Sequence, residues 1–586
     1  MARDLPYLHE LQADGKGDGS LENLQAQSME WCLACDSQIA DKELYLKYRV
    51  CPSCRFHYTL GARERISLIV DEGTFKEKNR SIASLDPLSF SGRTSYKDRL
   101  SMDQQRTGLT EAVVTGTCQI GGISAVLIVL DVGFMGGSMG QVVGEKITLA
   151  LERAAKKKLP AVAIVTSEGA RIQEGVLSLM QMAKTSMAVN KLSEEGLPFI
   201  SVLANPTTGQ AYASFASLAD IILAEPGALV GLAPLRALAE ASSAPLPPEA
   251  HTAEYHLRHG LLDKIVDRED LRDFLATLLD SISSSALKTK GKTKIKAQIR
   301  HSPAWESVQL ARHAQRPSAT DFIIRMFSNF VELHGDRTFA EDSSIICGIG
   351  QMGSQSVVVI GQEGSTTPEG FRKAQRIMKL ASKFNLPLIT LIDTPGPMQS
   401  LESEERGLGN IIAATISHMA GLPVPSIAVI IGEGGSEAAL ALGIADRVLM
   451  LENAIYSSIS PEGAASLIYR DETRAPELAE ALKLTAADCK DLQIVDMIVP
   501  EPVNGAHTNP NEAARHLKRA LLSVLIALHD TATKKLLKER YKKFRKMGEH
   551  SSRFRLAVAR RVKRIRRRRR GKKVQKPAEQ AASAGE

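Results

Sequence analysis

Two stretches of this 586-residue chain repeat one pattern at a nearly constant spacing, and that duplication constrains the fold more than any other feature. The first runs GGSMGQVVGEKITLALERAAKKKLPAVAIVTSEGAR from Gly136 to Arg171, and the second runs TTPEGFRKAQRIMKLASKFNLPLITLIDTPG from Thr366 to Gly396. Superposing Leu159-Pro160 on Leu386-Pro387 gives an offset of 227. Further on, ASFASLADIILAEPGALVG (Ala213–Gly231) meets ALALGIADRVLMLENAIYSS (Ala439–Ser458) at an offset of 226. Two alignments at nearly one offset imply two copies of one unit, and a site is expected where the copies face each other.

The shared unit reads strand, glycine-rich turn, helix, Leu-Pro, strand, glycine-rich turn, helix. Ala161–Thr166 and Phe199–Ala204 are continuous apolar runs, as expected of strands covered on both faces. Glu111–Ile120 and Ala125–Val132 read as strands joined by a Gly121-Gly122 hairpin. Helices are expected over Met139–Lys158 and Val176–Leu192. Such alternation predicts parallel strands with right-handed crossovers, an α/β fold. No GxGxxG opens a helix with an acidic residue about 20 positions on, which excludes dinucleotide binding.

Cys32-Leu-Ala-Cys35 and Cys51-Pro-Ser-Cys54 are separated by 15 residues. Two CxxC turns brought together make a closed tetrahedral S4 site, so structural Zn2+ on Cys32, Cys35, Cys51 and Cys54 is expected. Leu44–Val50 alternates like a short strand, which suits a zinc ribbon. Cys118, Cys347 and Cys489 stand alone and read as small buried hydrophobes.

The net charge of +8 is local. Between Arg553 and Lys576 there are 14 Lys/Arg and no Asp/Glu, which leaves −6 for the remainder. The start lacks the apolar stretch of a secretory signal, and no segment offers the roughly 18 apolar residues of a membrane helix, so a soluble cytoplasmic protein is expected. The domains are expected as a disordered lead (1–27), zinc ribbon (28–58), first αβ body (59–286), basic linker (287–304), second αβ body (305–535) and basic helical or disordered tail (536–586).

Four glycine turns carry the candidate chemistry: Phe134–Gly140, Ser167–Arg171, Asp393–Gly396 and Gly432–Ala439. The second and fourth are expected to lead into helices, whose free N–H groups would form an oxyanion hole in each copy. No Ser-His-Asp set or metal-ligating histidine cluster is visible. His57, His313, His334, His418 and His507 are scattered and read as structural. Backbone dipoles and enolates fit this better than acid–base side chains.

At this point the residues match a family. The paired CxxC turns, YKDRL (Tyr96–Leu100), FMGGSMGQVVGEK (Phe134–Lys146), SEGARIQEG (Ser167–Gly175), LMQMAKTS (Leu179–Ser186) and AEPGALVG (Ala224–Gly231) resemble the beta subunit of bacterial acetyl-CoA carboxylase carboxyltransferase. QLARHAQRP (Gln309–Pro317), GDR (Gly335–Arg337), PEGFRKAQRIMKLA (Pro368–Ala381), IDTPG (Ile392–Gly396), EERG (Glu404–Gly407), IGEGGS (Ile431–Ser436), SPEGAAS (Ser460–Ser466) and EPVNGAHTNP (Glu501–Pro510) resemble its alpha subunit. The resemblance covers roughly residues 28–540, as a beta–alpha fusion.

The resemblance implies two crotonase-like (ClpP/crotonase) domains in tandem and transfer of CO2 from carboxybiotin to acetyl-CoA, giving malonyl-CoA. By it, Glu168, Gly169 and Ala170 would stabilise the thioester enolate, and Ala438 and Ala439 would hold the carbonyl of the biotin ring. Gly136, Gly137, Arg171, Gly231, Gly434 and Gly435 would line the substrates. No biotin-attachment motif or ATP-grasp domain is present, so a biotin carboxyl carrier protein and a biotin carboxylase are implied as separate partners, with ATP chemistry on the latter. A homodimer pairing the beta half of one copy with the alpha half of another is implied too. Two departures fall on the site: the family's SGGAR is SEGAR here, and its GGSGGAL is GGSEAAL, which places Glu168 and Glu437 beside the expected oxyanions. Alternatives left open are another acyl-CoA substrate, or a carboxyltransferase body that binds nucleic acid through the ribbon and basic tail or serves as a scaffold.

Overall fold

The computed structural model describes residues 30–86, 88–90, 95–233, 235–242, 244–283 and 302–547. The lead, most of the linker and the arginine-rich stretch lie outside them.

The first half contains β1 (Lys76–Lys78), β2 (Val113–Ile120), β3 (Ile123–Leu130), β4 (Ala161–Ser167), β5 (Phe199–Thr208), β6 (Ile221–Ala224), β7 (Val230–Gly231) and β8 (Lys264–Ile265). The second contains β9 (Ser328–Glu332), β10 (Ile345–Met352), β11 (Gln355–Glu363), β12 (Leu388–Thr394), β13 (Ser426–Gly435), β14 (Arg447–Leu451), β15 (Ile455–Ser457) and β16 (Met497–Val499). The sheets run β1-β2-β3-β4-β5-β6-β8 and β9-β10-β11-β12-β13-β14-β16, with β7 on β5 and β15 on β13. They are one topology twice. Each opens with an antiparallel hairpin, β2–β3 or β10–β11, and continues with four parallel strands. The β2–β3 turn is Gly121-Gly122 with φ 57° and 80°, the left-handed pair that a two-residue hairpin requires.

The duplication holds residue by residue: β4 maps on β12 and β5 on β13 at 227. Both ladders break at the same place. Pairing passes from Val165–Leu203 to Ser167–Thr207, and from Ile392–Ile430 to Thr394–Gly434. Each bulge lets the long strand leave its sheet and pick up β7 or β15 as a short second layer, directly beneath the glycine turns. The central strands are fully buried, with Ala161–Val165 and Ile427–Ile431 inaccessible to solvent. Helices Gln141–Lys157, Gly175–Glu194, Pro368–Lys383 and Leu408–Gly421 flank the sheets.

One expectation is corrected. Leu44–Val50 is not a strand: Glu43–Tyr48 is a helix closed by Arg49 at φ 53°. Each CxxC instead makes its own small hairpin, Trp31 opposite Gln38 and Val50 opposite His57, and the helix returns the chain between them while Tyr45 fills the ribbon core. The residues after 535 do not leave the body at once. Helix Thr533–Arg545 is docked by Leu536 and by buried Arg540, which pairs with Asp446 at 2.8 Å and donates to the carbonyls of Met419 and Leu422 at 2.9 and 2.8 Å.

The halves meet through the amino-terminal ends of their strands. Asp263, fully buried just before β8, pairs with Arg337 and Arg376 of the second half, and Asp220, just before β6, pairs with Lys383 at 2.7 Å. A Cβ on Gly335 would sit 2.1 Å from the Gly260 carbonyl oxygen, so the two backbones pack without side chains between them. A cleft of about 790 Å³ opens on this junction between Glu194, Asp220, Lys379, Lys383 and His418. It lies at the end opposite the glycine turns, so it is not the site that the duplication pointed to.

Candidate functional site

The ribbon holds a built metal site. The four sulfurs lie within 4.8 Å of one another, with Cys32–Cys54 and Cys35–Cys51 at 3.7 Å. Zn–S bonds of about 2.3 Å in a tetrahedron place sulfurs about 3.8 Å apart, so the donor set fits Zn2+. The knuckles are copies: Asp36 and Arg55 N–H donate to the carbonyls of Cys32 and Cys51 at 2.8 and 3.0 Å, with φ 54° and 61°. Tyr58 hydroxyl donates to Cys32 Sγ at 3.2 Å, which offsets thiolate charge. Four thiolates leave the metal no open position for catalysis.

Arg268 docks the ribbon. It donates to the carbonyls of Tyr48 and Tyr58 at 2.8 and 2.9 Å, and to both oxygens of Glu225, which also receives Arg65 at 2.8 Å. Burial pulls the Glu225 carboxyl up, but Arg268 and Arg65 outweigh it and hold the group ionised well below the usual carboxylate range.

In the first half, the turn after β4 is zipped to the turn after β3. Glu168 N–H donates to Gly136 O at 2.9 Å, Met139 N–H to Gly169 O at 2.7 Å, and Arg171 N–H to Met139 O at 3.3 Å. Gly169 N–H reaches Ser167 Oγ at 3.1 Å. Among the described residues nothing accepts the N–H of Ala170, which is exposed. The Glu168 amide is therefore already used and is not a free oxyanion donor. Its carboxylate lies over Gly136, where a Cβ would sit 2.4 Å from Oε2.

The second half repeats this geometry. Thr366 bridges Pro397 as Met139 bridges Ala170, and Gly396 N–H donates to Thr394 Oγ1 at 3.1 Å. The partner turn in each half is the elbow that opens the next helix. Gly209 (φ 58°) abuts Gly169, and its equivalent at 227, Ser436 (φ 60°), faces Gly396. A serine in the left-handed region is strained, and such strain collects at functional turns. Helix Ser436–Gly443 has no side-chain cap, its N-cap being Gly435. At its surface stand Ser436 and Glu437, whose carboxylate accepts the Ser436 hydroxyl, while Ala438 and Ala439 are fully buried. The first and fourth glycine turns, rather than the second and fourth, run straight into helices: after Arg171 a 3-10 turn intervenes, and the helix begins at Gly175.

Several sequence candidates have other work. A Cβ would meet Thr166 O at 2.1 Å on Gly137, His251 Nδ1 at 2.1 Å on Gly231, the Tyr456 ring at 2.8 Å on Gly434, and Pro395 O at 2.3 Å on Gly435. On the side where a Cβ would stand, these glycines admit other parts of the protein. Arg171 is fully buried, so it does not line a groove. Its guanidinium donates to Ser138 Oγ and O, and to Tyr96 hydroxyl, at 3.0, 2.9 and 3.2 Å, and pairs with Glu111 at 2.7 Å. Sequence reasoning missed that network, and it missed Ser436, which carrying the 227 offset forward from Gly209 would have found. It also passed over Asp393, whose carboxyl is pushed up to about 6 by burial while the Glu433 N–H, at 2.8 Å, and Arg316 pull it down.

Twin α/β units, each with a bulged strand, β5 or β13, beneath its glycine turns and one carrying a four-cysteine ribbon, define a tandem crotonase-type carboxyltransferase architecture. Residues 263–548 match the acetyl co-enzyme A carboxylase carboxyltransferase-like family model. The chain is 41% identical over 554 residues to the acetyl-coenzyme A carboxylase carboxyl transferase subunits beta/alpha of Clostridium tetani, covering 91% of this chain and 96% of that protein. It is 42% identical over 553 residues to the protein of that name from Natranaerobius thermophilus, covering 89% and 91%. Among solved structures, the transcarboxylase 12S hexamer with hydrolysed methylmalonyl-coenzyme A bound superposes with a TM-score of 0.66 at 22% identity, covering 80% of this chain and 90% of that one, a likeness of fold. The chain belongs to the acetyl-CoA carboxylase carboxyltransferase family, in the form that joins beta and alpha subunits in one polypeptide.

Proposed function

We propose that the chain passes the carboxyl group of carboxybiotin, carried on a separate protein, to acetyl-CoA, giving malonyl-CoA. The observation that carries this reading is one amide-presenting turn per half, after β4 in the first and at the helix after β13 in the second, in a chain whose relatives carry the carboxyl transferase name. The Ala170 amide would stabilise the thioester enolate, while the Gly169 N–H is held by Ser167 Oγ. The first-turn amides of helix Ser436–Gly443, Glu437 at the surface and Ala438 behind it, would hold the ureido carbonyl, while the Ala439 N–H closes the first helical turn on Gly435. Each added carboxylate is tied to its own turn, Glu168 over Gly136 and Glu437 on the Ser436 hydroxyl, which leaves both cradles able to receive an oxyanion. Zn2+ on the four cysteines would hold the ribbon together and contribute no step.

One chain does not bring its cradles together. Both follow the carboxyl ends of strands, while the halves meet at the amino ends, a strand length of about 20 Å away on each side. Apolar side chains stand exposed beside both: Ile172 (73%), Val176 and Leu232 near the first, Met398, Leu401 (75%) and Leu440 near the second. Two rims of this kind call for covering. A second copy, set with its second half over the first half of its neighbour, would cover both and complete two sites. Among the described residues no helix is long and apolar enough to cross a membrane, and the cytoplasm supplies the acyl-CoA that the reading needs.

The test is direct. Zinc-loaded protein supplied with carboxylated biotin carrier and acetyl-CoA is expected to form malonyl-CoA, with propionyl-CoA assayed beside it. Failure of labelled carboxyl to exchange between malonyl-CoA and carrier biotin would sink the reading.

A further inference from the structure

Beneath the first cradle lies a closed polar network that no donor role accounts for. Arg171, Tyr96, Glu174 and Glu111 are each at most 1% exposed. Tyr96, the first residue of helix Tyr96–Thr107, donates its hydroxyl to Glu174 Oε1 at 2.6 Å and accepts from Arg171 at 3.2 Å. Glu174 Oε2 accepts the Gln141 N–H, which opens the helix after the Phe134–Gly140 turn. Arg171 holds the same turn through Ser138, by Nε to Oγ at 3.0 Å and by its terminal nitrogen to the carbonyl at 2.9 Å. Gly140 leaves the room: a Cβ there would sit 2.8 Å from Glu174 Oε1 and 3.1 Å from the Arg171 guanidinium.

The duplicated fold supplies its own control. The second half makes the same turn and the same bridge, with Met398 N–H on Thr366 O at 2.9 Å where Arg171 N–H meets Met139 O. At the 227 offset, however, Arg171 becomes Met398 and Glu174 becomes Leu401, both exposed and apolar. The turn there is stiffened by Pro395 and Pro397 instead. The fold therefore does not need a buried ionic clamp to hold this turn. Only the half whose cradle faces the acyl thioester has one.

We propose that Tyr96, Arg171 and Glu174 are positioning residues for carboxyl transfer, clamping the Ser167–Arg171 turn to the Phe134–Gly140 turn so that the Ala170 N–H keeps its aim on the thioester oxygen. This rests on the carboxyltransferase reading above. A donor helps only when held against the place where charge develops, and a displacement of about 1 Å costs on the order of 100-fold in rate. Tyr96 is the keystone, because among the described residues its hydroxyl joins the Arg171 guanidinium to Glu174, with Ser84 bonded to both Tyr96 and Glu174. Removing it leaves the Arg171–Glu111 pair intact, and Glu174 keeps the Gln141 N–H and the Ser84 hydroxyl.

The experiment compares parent, Tyr96→Phe and Glu174→Gln as full-length, zinc-loaded proteins, with melting temperature and zinc content measured beside kinetics. Tyr96→Phe is expected to lower kcat for malonyl-CoA formation by about 10- to 100-fold while KM for the carboxylated carrier, which binds at the other cradle, stays within about twofold. Glu174→Gln, which keeps shape and can still accept from Gln141, is expected to fall between the two. An active parent with an equally active Tyr96→Phe overturns the proposal. So does a loss in which carrier KM and melting temperature move together with kcat, since a merely structural role predicts that. A parent that catalyses no transfer overturns the functional reading first, and with it this inference.

Discussion

At the 227 offset Asp393 stands where the first half has Thr166, and the exchange changes what the bulge beneath the cradle does. Thr166 donates its hydroxyl to Leu130 O at 2.8 Å, a neutral bond. Asp393 accepts from the Glu433 amide, against a Gly432 that must lack a side chain, and burial pushes its carboxyl up to about 6. The folded value is raised above the unfolded one near 3.8, so this group's stabilising contribution is complete below pH 3.8 and is lost as pH rises through about 6. Asp393→Asn keeps an oxygen for the Glu433 amide and cannot ionise. It is expected to match the parent near pH 4 and to exceed it at pH 8 by on the order of 2 kcal/mol in urea titrations. A variant that tracks the parent at both values would show that burial does not govern this carboxyl. Residues like this mark the limit of reading a sequence. Glycine at 137, 231, 434 and 435 announced close approach correctly, but the approaching atom is a carbonyl, an imidazole or a ring of the protein itself, and spacing alone does not say which. Arg171 looked like a ligand for the same reason: its burial depends on Tyr96, Ser138 and Glu111, remote in sequence.

Among the elements, those set by local pattern were legible. The apolar runs of β4 and β5, the Gly121-Gly122 hairpin and the helices after each glycine turn follow from periods and turn chemistry that neighbours only reinforce. Leu44–Val50 was misread because seven alternating residues suit either a strand or about two turns of helix. Packing decides: the helix returns the chain so that the two knuckles stand at sulfur–sulfur distances of 3.7 Å. The docking of helix Thr533–Arg545, unlike its helicity, was not legible, since Leu536 and Arg540 show that role only against Asp446 and the carbonyls of the Leu408–Gly421 helix end. The ribbon core is small, little more than Ile39, Tyr45 and the cysteines, so its folding energy is the energy of holding zinc. Chelation, or Cys51→Ser, is expected to open residues 30–58 to trypsin at Lys47, Arg49 and Arg55. The sheet from β2 to β8 should stay protected, because Glu225 keeps Arg65 and Arg268 whether or not the ribbon carbonyls are in place. A digest in which the first half falls apart together with the ribbon would show the zinc to be a strut of the whole body.

At the scale of the molecule the duplication was readable from one offset, because two copies under one folding constraint keep their Leu-Pro corners and glycine turns in register. How the copies meet was not readable, for the junction rests on Asp220, Asp263, Arg337, Arg376 and Lys383, charged residues with no pattern in sequence. They join the amino ends of the strands and leave the cradles at the far ends, so on the function proposed above a site built from both cradles is shared between two chains. The consequence can be tested by complementation. Ala170→Pro removes the free amide of the first cradle. Glu437→Pro removes one from the second, at a helix position where proline is tolerated. Each homodimer is expected to be inactive. Once the two are mixed and allowed to exchange subunits, a heterodimer carries one site with both lesions and one with neither. With random exchange, half the dimers are mixed, so activity should return to about a quarter of the parent's. Cradles acting within one chain would give no recovery, since every chain in the mixture carries a lesion.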